Sequence, residues 1–387
     1  MRELIYLDNA STTYPKPEAV YRAVDAAGRT AVNAGRGSYG LARQAHQLIE
    51  DTREQICGML HGESVAEAVL TPSATVACNQ VLGGLEWEKG SLVYVTPFEH
   101  NAVMRPLYAL QKQYGFEIEE LAVDAESMTL NQEKIQYQFL RKPPAVLIMT
   151  HVSNVTGAVI PWQEIGEMAE PYHPVVVIDG SQALGLVPVS LQHTAADFYI
   201  FAGHKTLYGP MGVGGYVNHH GKKLKPVLFG GTGSNSLNLE MDLSEAAGYE
   251  PGSMNIAAIA GLHAAIGEWG RTPEGEWLKR EQSLREFLIK RLSRIPEAIL
   301  YPPLSGETVG ILSFGLEGFS AGDVGILLDQ EYHIAVRAGY HCAPFIHKYL
   351  KDERNGGTVR VSVGRFTTEA ELERLAEAVE EIAELSG

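Results

Sequence analysis

The stretch Val175-Val-Val-Ile-Asp-Gly-Ser-Gln-Ala-Leu184 decides how this chain reads. Four consecutive β-branched residues form a strand too apolar to face water on either side, as in the centre of a parallel sheet. A carboxylate, Asp179, and a glycine, Gly180, follow at its carboxyl end. Open α/β sheets bind ligands at such strand ends, so Asp179 is a candidate functional group. The ordinary alternative is that it caps the next turn.

Working outward, segments 68–70, 91–95, 146–150, 198–201 and 213–217 share the short apolar character of strands. Helical patterns at 42–60, 75–87, 105–113 and 162–170 separate them. This alternation predicts an α/β domain with a largely parallel sheet. The pattern changes after about Gly252. Helices are expected at 257–269 and 274–294, then a turn marked by Pro296, Pro302 and Pro303, then strands at 309–314, 335–337 and 358–363. Segment 368–385 places Leu372, Leu375, Val379, Ile382 and Leu385 at helical spacing among glutamates, a surface helix with one apolar stripe.

Composition narrows the function classes. The 387 residues include 31 Lys+Arg and 47 Asp+Glu, a net charge of −16. Wrapping DNA or coating an anionic membrane is not expected of so acidic a chain, although a local basic pocket can still hold a small anion. Three cysteines, Cys57, Cys78 and Cys342, are too few for a disulfide framework or a structural zinc site. No run of the length needed to span a bilayer occurs, and no signal-type apolar segment opens the chain. A cytoplasmic protein is the expectation. Forty glycines are more than average usage supplies, which points to tight turns and close backbone approaches.

Gly203-His204-Lys205, followed by Gly209, Gly212, Gly214 and Gly215, sets a lysine on a glycine-bounded turn after the strand at 198–201. Such a lysine could be salt-bridged, phosphate-bound or a Schiff-base amine. Pyridoxal phosphate (PLP) needs an imine-forming lysine, commonly an acid at its pyridine nitrogen, and an anion site. Asp179 can be that acid, and Thr71-Pro-Ser-Ala-Thr75, between a strand and a helix, can be the anion site. His100, just after the strand at 91–95, can lie against a ring.

With these groups together, the chain resembles the cysteine desulfurases among class V aminotransferase-type PLP enzymes, in their SufS-like, selenocysteine lyase-like branch. The matching stretches are Tyr6-Leu-Asp-Asn-Ala10, Arg36-Gly37, Glu99-His100, Ser153-Asn-Val-Thr-Gly157, Asp179-Gly-Ser-Gln182, Gly203-His-Lys205, Gly209-Pro210, Arg337-Ala-Gly-Tyr-His-Cys342 and Thr358-Val-Arg-Val-Ser362. They keep their order over nearly the whole chain.

The resemblance implies a fold type I PLP enzyme. A segment 1–20 would pack with a small α+β domain at 256–387, and residues 21–255 would form the large PLP-binding α/β domain. Lys205 would bind PLP covalently, Asp179 would pair with its pyridine nitrogen, Gln182 would bond its phenolic oxygen and His100 would stack on its ring. His204, Ala74 and Thr75 would surround the phosphate, and Asn154 would lie near ring and substrate. Ser253 would reach the phosphate of a neighbouring subunit, implying a homodimer with shared active sites. Arg360 would hold the substrate carboxylate, with Arg36 and Arg337 as further polar contacts. Cys342 would take the sulfur of L-cysteine as a persulfide, leaving L-alanine and passing sulfur to a protein acceptor, with His341 a possible proton carrier. Cys57 and Cys78, in helical patterns with apolar neighbours, read as packing residues. Selenocysteine lyase and class V aminotransferase activity on a small amino acid are the alternatives. Departures from the family pattern are Ala74 for a threonine, Ala202 for a serine, Gly35 and Tyr340 for histidines, and the stretch Phe229-Gly-Gly-Thr-Gly-Ser-Asn235.

Overall fold

The computed structural model describes residues 4–34, 37, 39–61, 66–232, 237–303 and 306–385. Seven strands form the main sheet, in spatial order Glu67–Thr71, Gly214–Asn218, Phe198–Ala202, Val175–Asp179, Val146–Thr150, Leu92–Val95 and Glu117–Glu120. Gly214–Asn218 runs antiparallel to both neighbours, and the other adjacent pairs are parallel. All five residues of Val146–Thr150 and of Phe198–Ala202 are buried, because helices cover both faces of the sheet. One face packs around Tyr94, Leu147, Met149, Ile178 and Tyr199, the other around Val93, Val95, Ile148, Val177 and Ile200. Alternation along each strand assigns these sets to opposite sides.

A second sheet is antiparallel, in the order Ala298–Leu300, Ile311–Leu316, Thr358–Ser362 and Arg337–Gly339. It has its own core, shared with helices Glu276–Leu292, Ala321–Gln330 and Glu369–Glu384. In the last of these, Leu372, Leu375, Val379 and Ile382 are buried, and Thr368 closes a capping box with Glu371. Leu385 lies just past the helix and is exposed.

The strand expected at 335–337 is two strands. Ile334–Ala335 pairs in parallel with Ile5–Tyr6, and Arg337–Gly339 pairs with Thr358–Ser362. The chain changes partner at Val336, which brings the N-terminal segment beside Arg337. Helices Glu18–Thr30, Gln132–Arg141 and Ala321–Gln330 lie outside the helical patterns read from the sequence. No described helix is long and apolar enough to cross a membrane.

Candidate functional site

Parallel strands bring their carboxyl ends to one edge of the sheet, and the site is built there. Thr150, Asp179 and Ala202 each close a strand and line a cavity of about 190 Å³. The turns that follow supply Ser73, Ala74, Thr75, His100, His204 and Lys205 to the same cavity. Ala10 and Ser11 from the N-terminal segment, with Arg337 and Arg360 from the second sheet, complete much of its wall.

One end of the cavity is made for an anion. Helix Ala74–Gly84 begins there, capped by Ser73, whose hydroxyl and carbonyl accept from the amides of Val76 and Ala77. The amides of Ala74 and Thr75 border the cavity at the positive end of the helix dipole. The antiparallel strand starts beside this turn, and Gly214 is needed there: a Cβ would stand 2.9 Å from the Ala74 nitrogen. His204 adds an Nδ1 buried without a hydrogen-bond partner. Burial, then the charges of Lys205 and Lys16, pushes its imidazole down to about 4.

Asp179 lines the same cavity as Lys205. Its Oδ1 accepts from the Ser181 amide at 3.0 Å. Gly180 lets the chain turn under Asp179 because a Cβ there would stand 2.1 Å from the Tyr199 ring. Desolvation depresses the Lys205 amine below the ordinary lysine value. Asp179 opposes that shift, and Arg360 and Arg337 reinforce it. His100 caps helix Asn101–Tyr114, its Nδ1 accepting from the Ala102 amide at 3.0 Å. Burial and the Lys205 charge hold it near 4, so the ring is neutral with its proton on Nε2. Gln182 lines the cavity while its Nε2 donates to the Ala10 carbonyl at 2.7 Å.

Below His100, the buried Glu99 accepts from Thr96 Oγ1 at 2.6 Å and from the Thr150 amide at 2.7 Å, both through Oε1. Burial pushes this carboxyl up to about 8.

Arg360 is 1% exposed and its fork is occupied. Nη2 donates to Asp8 Oδ1 at 2.7 Å and to Ser11 Oγ at 2.9 Å, and Nη1 donates to the Asn154 carbonyl at 2.9 Å. Asp8 thus shares the guanidinium of Arg360, a contact the sequence did not signal. Arg337 is less buried. Its Nη1 donates to Ser11 Oγ at 3.1 Å and its Nη2 to Cys342 Sγ at 3.3 Å. Asn154 lines the cavity and donates from Nδ2 to the His341 carbonyl at 2.8 Å.

The remaining expected residues lie elsewhere. Ser253 is on the surface and does not line the cavity. Arg36 and Gly35 lie outside the described residues, as do Gly233, Ser234 and Asn235. His341 is buried and turns its Nε2 to Thr358, 3.0 Å from the carbonyl and 2.8 Å from the hydroxyl. Gly357 packs against Gly339, where a Cβ would stand 2.4 Å from the carbonyl oxygen, so close approach calls for this glycine. Cys78 is fully buried and Cys57 partly so.

The Aminotransferase class-V family model matches residues 5–375. This chain belongs to that family. Its relatives include a probable cysteine desulfurase of Methanothermobacter thermautotrophicus, 32% identical over 99% of this chain and 96% of the relative. A cysteine desulfurase of Yersinia pestis is 33% identical over 99% and 94%. Among solved structures, the apo cysteine desulfurase of Thermococcus onnurineus superposes with a TM-score of 0.90 at 28% identity, covering 98% of this chain and 95% of that one. An Escherichia coli cysteine desulfurase in an S-sulfonic acid form gives 0.84 at 27%, covering 99% and 95%. The family and its cysteine desulfurase relatives thus agree with the resemblance read from the motifs, as does the α/β architecture.

Proposed function

We propose that the protein is a PLP-dependent cysteine desulfurase that converts L-cysteine to L-alanine and carries the sulfur on Cys342. The observation that carries this reading is the meeting of Lys205, Asp179 and the helix N-terminus at Ala74 in one cavity, with Cys342 bonded to a residue of its wall.

The groups present fit PLP. The Ala74 and Thr75 amides and the unpartnered His204 Nδ1 suit its phosphate, Asp179 suits its pyridine nitrogen, and Lys205 offers the amine. When bound, PLP supplies the electron sink that eases proton loss from the substrate Cα. The chain's own residues do the rest. Asp179 offers a carboxyl group at the end of its strand, and neutral His100 presents a flat ring to the cavity. The Lys205 amine, depressed by burial, is a base able to take the Cα proton and return it. Arg360 and Arg337, in the wall of the same cavity, draw the substrate carboxylate. Cys342 Sγ then bonds to the substrate sulfur as the Cβ–S bond breaks. The electron pair of that bond passes to the carbon skeleton, which gains protons and leaves as alanine. The balance is one cysteine and one thiol in, one alanine and one persulfide out.

A homodimer belongs to the same reading. Phe229, Leu237 and Leu239 are 74%, 97% and 100% exposed, more apolar side chain than a lone surface loop commonly carries. Light scattering that gives twice the chain mass supports the dimer, and a monomer at micromolar concentration contradicts it. The cofactor assignment is tested by adding PLP to the apoprotein. A visible absorbance band that the Lys205→Ala variant fails to develop supports it, and an identical band in both proteins overturns it.

A further inference from the structure

The turn that carries the nucleophile is strained. His341 and Cys342 both have left-handed backbones, with φ of 47° and 59°. Such positions for residues other than glycine cost free energy and persist only where surrounding contacts hold them. Asn154 Nδ2 holds the His341 carbonyl, and the Asn101 amide donates to the Cys342 carbonyl at 2.7 Å. The preceding carbonyl, that of Tyr340, is held by His347, whose Nε2 stands 2.9 Å from it.

His347 is a chemically unusual partner. It is 5% exposed, and its Nδ1 lies 2.6 Å from Oδ2 of Asp352, which is 1% exposed. A carbonyl oxygen only accepts, so Nε2 carries the hydrogen of the bond to Tyr340. The Tyr340 ring stands edge-on to it at 4.9 Å, and the His341 ring lies at 6.3 Å. Asp352 does more than fill space. Its bond to Nδ1 fixes the orientation of the ring, and Nε2–H then grips the backbone two residues before Cys342.

We infer that His347, oriented by Asp352, is a positioning residue that fixes the Cys342 turn for sulfur transfer. This rests on the desulfurase reading above. His347 touches neither substrate nor cofactor in this account and acts through the Tyr340 carbonyl alone. Nothing in the sequence pattern marks it: His347 and Asp352 lie in a segment with no motif of its own.

The role separates from a merely structural one by a split in the kinetics. Asp352→Leu removes the partner of Nδ1, so the ring is no longer held against the Tyr340 carbonyl, and His347→Phe removes the Nε2 donor outright. The PLP-loaded variants are given L-cysteine in single turnover, with persulfide on Cys342 followed by mass. Both are expected to slow sulfur transfer about tenfold, while half-maximal cysteine concentration and cofactor absorbance stay within about twofold; a tenfold loss is about one hydrogen bond's worth. The double variant is expected to be no slower than the worse single one, since the two residues act as one unit. Transfer within about twofold of wild type in either cofactor-bound variant overturns the inference. So does a parallel loss of cofactor binding, cysteine affinity and rate, which marks a folding role. A wild-type protein that forms no persulfide sinks the desulfurase reading itself, a different failure.

Discussion

Arg337 joins the N-terminal segment to Cys342: one guanidinium donates from Nη1 to Ser11 Oγ and from Nη2 to Cys342 Sγ. The change of sheet partner at Val336 creates this arrangement, since Ile334–Ala335 docks on Ile5–Tyr6 just before Arg337 enters the second sheet. The thiol is thereby attached to the wall of the cavity that holds Lys205 and Asp179.

Replacing Arg337 by alanine removes that attachment while leaving the Lys205 end of the site intact. Sulfur transfer to Cys342 should slow by roughly ten- to hundredfold, the worth of a charge-assisted hydrogen bond of about 1.5–3 kcal/mol. Cofactor absorbance should not change. Rapid-quench measurement of the persulfide checks this, and a rate equal to wild type contradicts it.

The Lys205 amine should react with PLP at lower pH than a free lysine does. Only the neutral amine is nucleophilic, and desolvation lowers its pKa in the folded chain. The rate of reconstitution should rise with pH and level off below the ordinary lysine value of about 10.4. Asp179 works against this depression, so Asp179→Asn should shift the plateau to still lower pH. The same variant should cut turnover about ten- to hundredfold. Stopped-flow absorbance over a pH series reads the shift, and a plateau unmoved or raised in Asp179→Asn contradicts it.

Glu99 gives the stability profile a sign. Its carboxyl is raised from 4.5 to about 8, first by desolvation and then, against the lowering effect of Thr96, by Asp179. Between those values the folded chain keeps a proton that the unfolded chain has lost. Stability from this group is therefore present at low pH and declines as pH rises toward about 8. Glu99→Gln keeps an oxygen for Thr96 and Thr150 and has no charge to bury. Its Tm should exceed that of wild type by a few degrees at pH above the Glu99 value, and the gap should close in mild acid. Calorimetry at two pH values checks this, and a gap that widens in acid reverses the account.

Much of this site was legible because the strands announce themselves. Val175–Asp179 and Val146–Thr150 lie where their apolar runs place them, and a buried parallel strand ending in a polar residue points that residue at the ligand edge. The motifs around Lys205, Asp179, His100 and Cys342 then supplied the chemistry. What stayed hidden depends on contacts between distant parts of the chain. Asp8 and Ser11 reach Arg360 across 352 and 349 residues, and no periodicity marks such a meeting. The role of Gly357 was hidden for a like reason, since its neighbour Gly339 is set by strand pairing. Helix Ala321–Gln330 escaped notice because Gly322 and Gly325 weaken its local signal, and tertiary packing of Val324 and Leu328 outweighs them.

The most direct test of the central claim gives L-cysteine to the PLP-loaded protein and to its Cys342→Ala variant, and measures alanine and protein-bound sulfur together. The account predicts one alanine for each sulfur in the wild type, with the first sulfur found on Cys342 as a persulfide. It predicts that the variant keeps the cofactor band and forms no persulfide, with alanine falling to background. Alanine formed at the wild-type rate without Cys342 would contradict it.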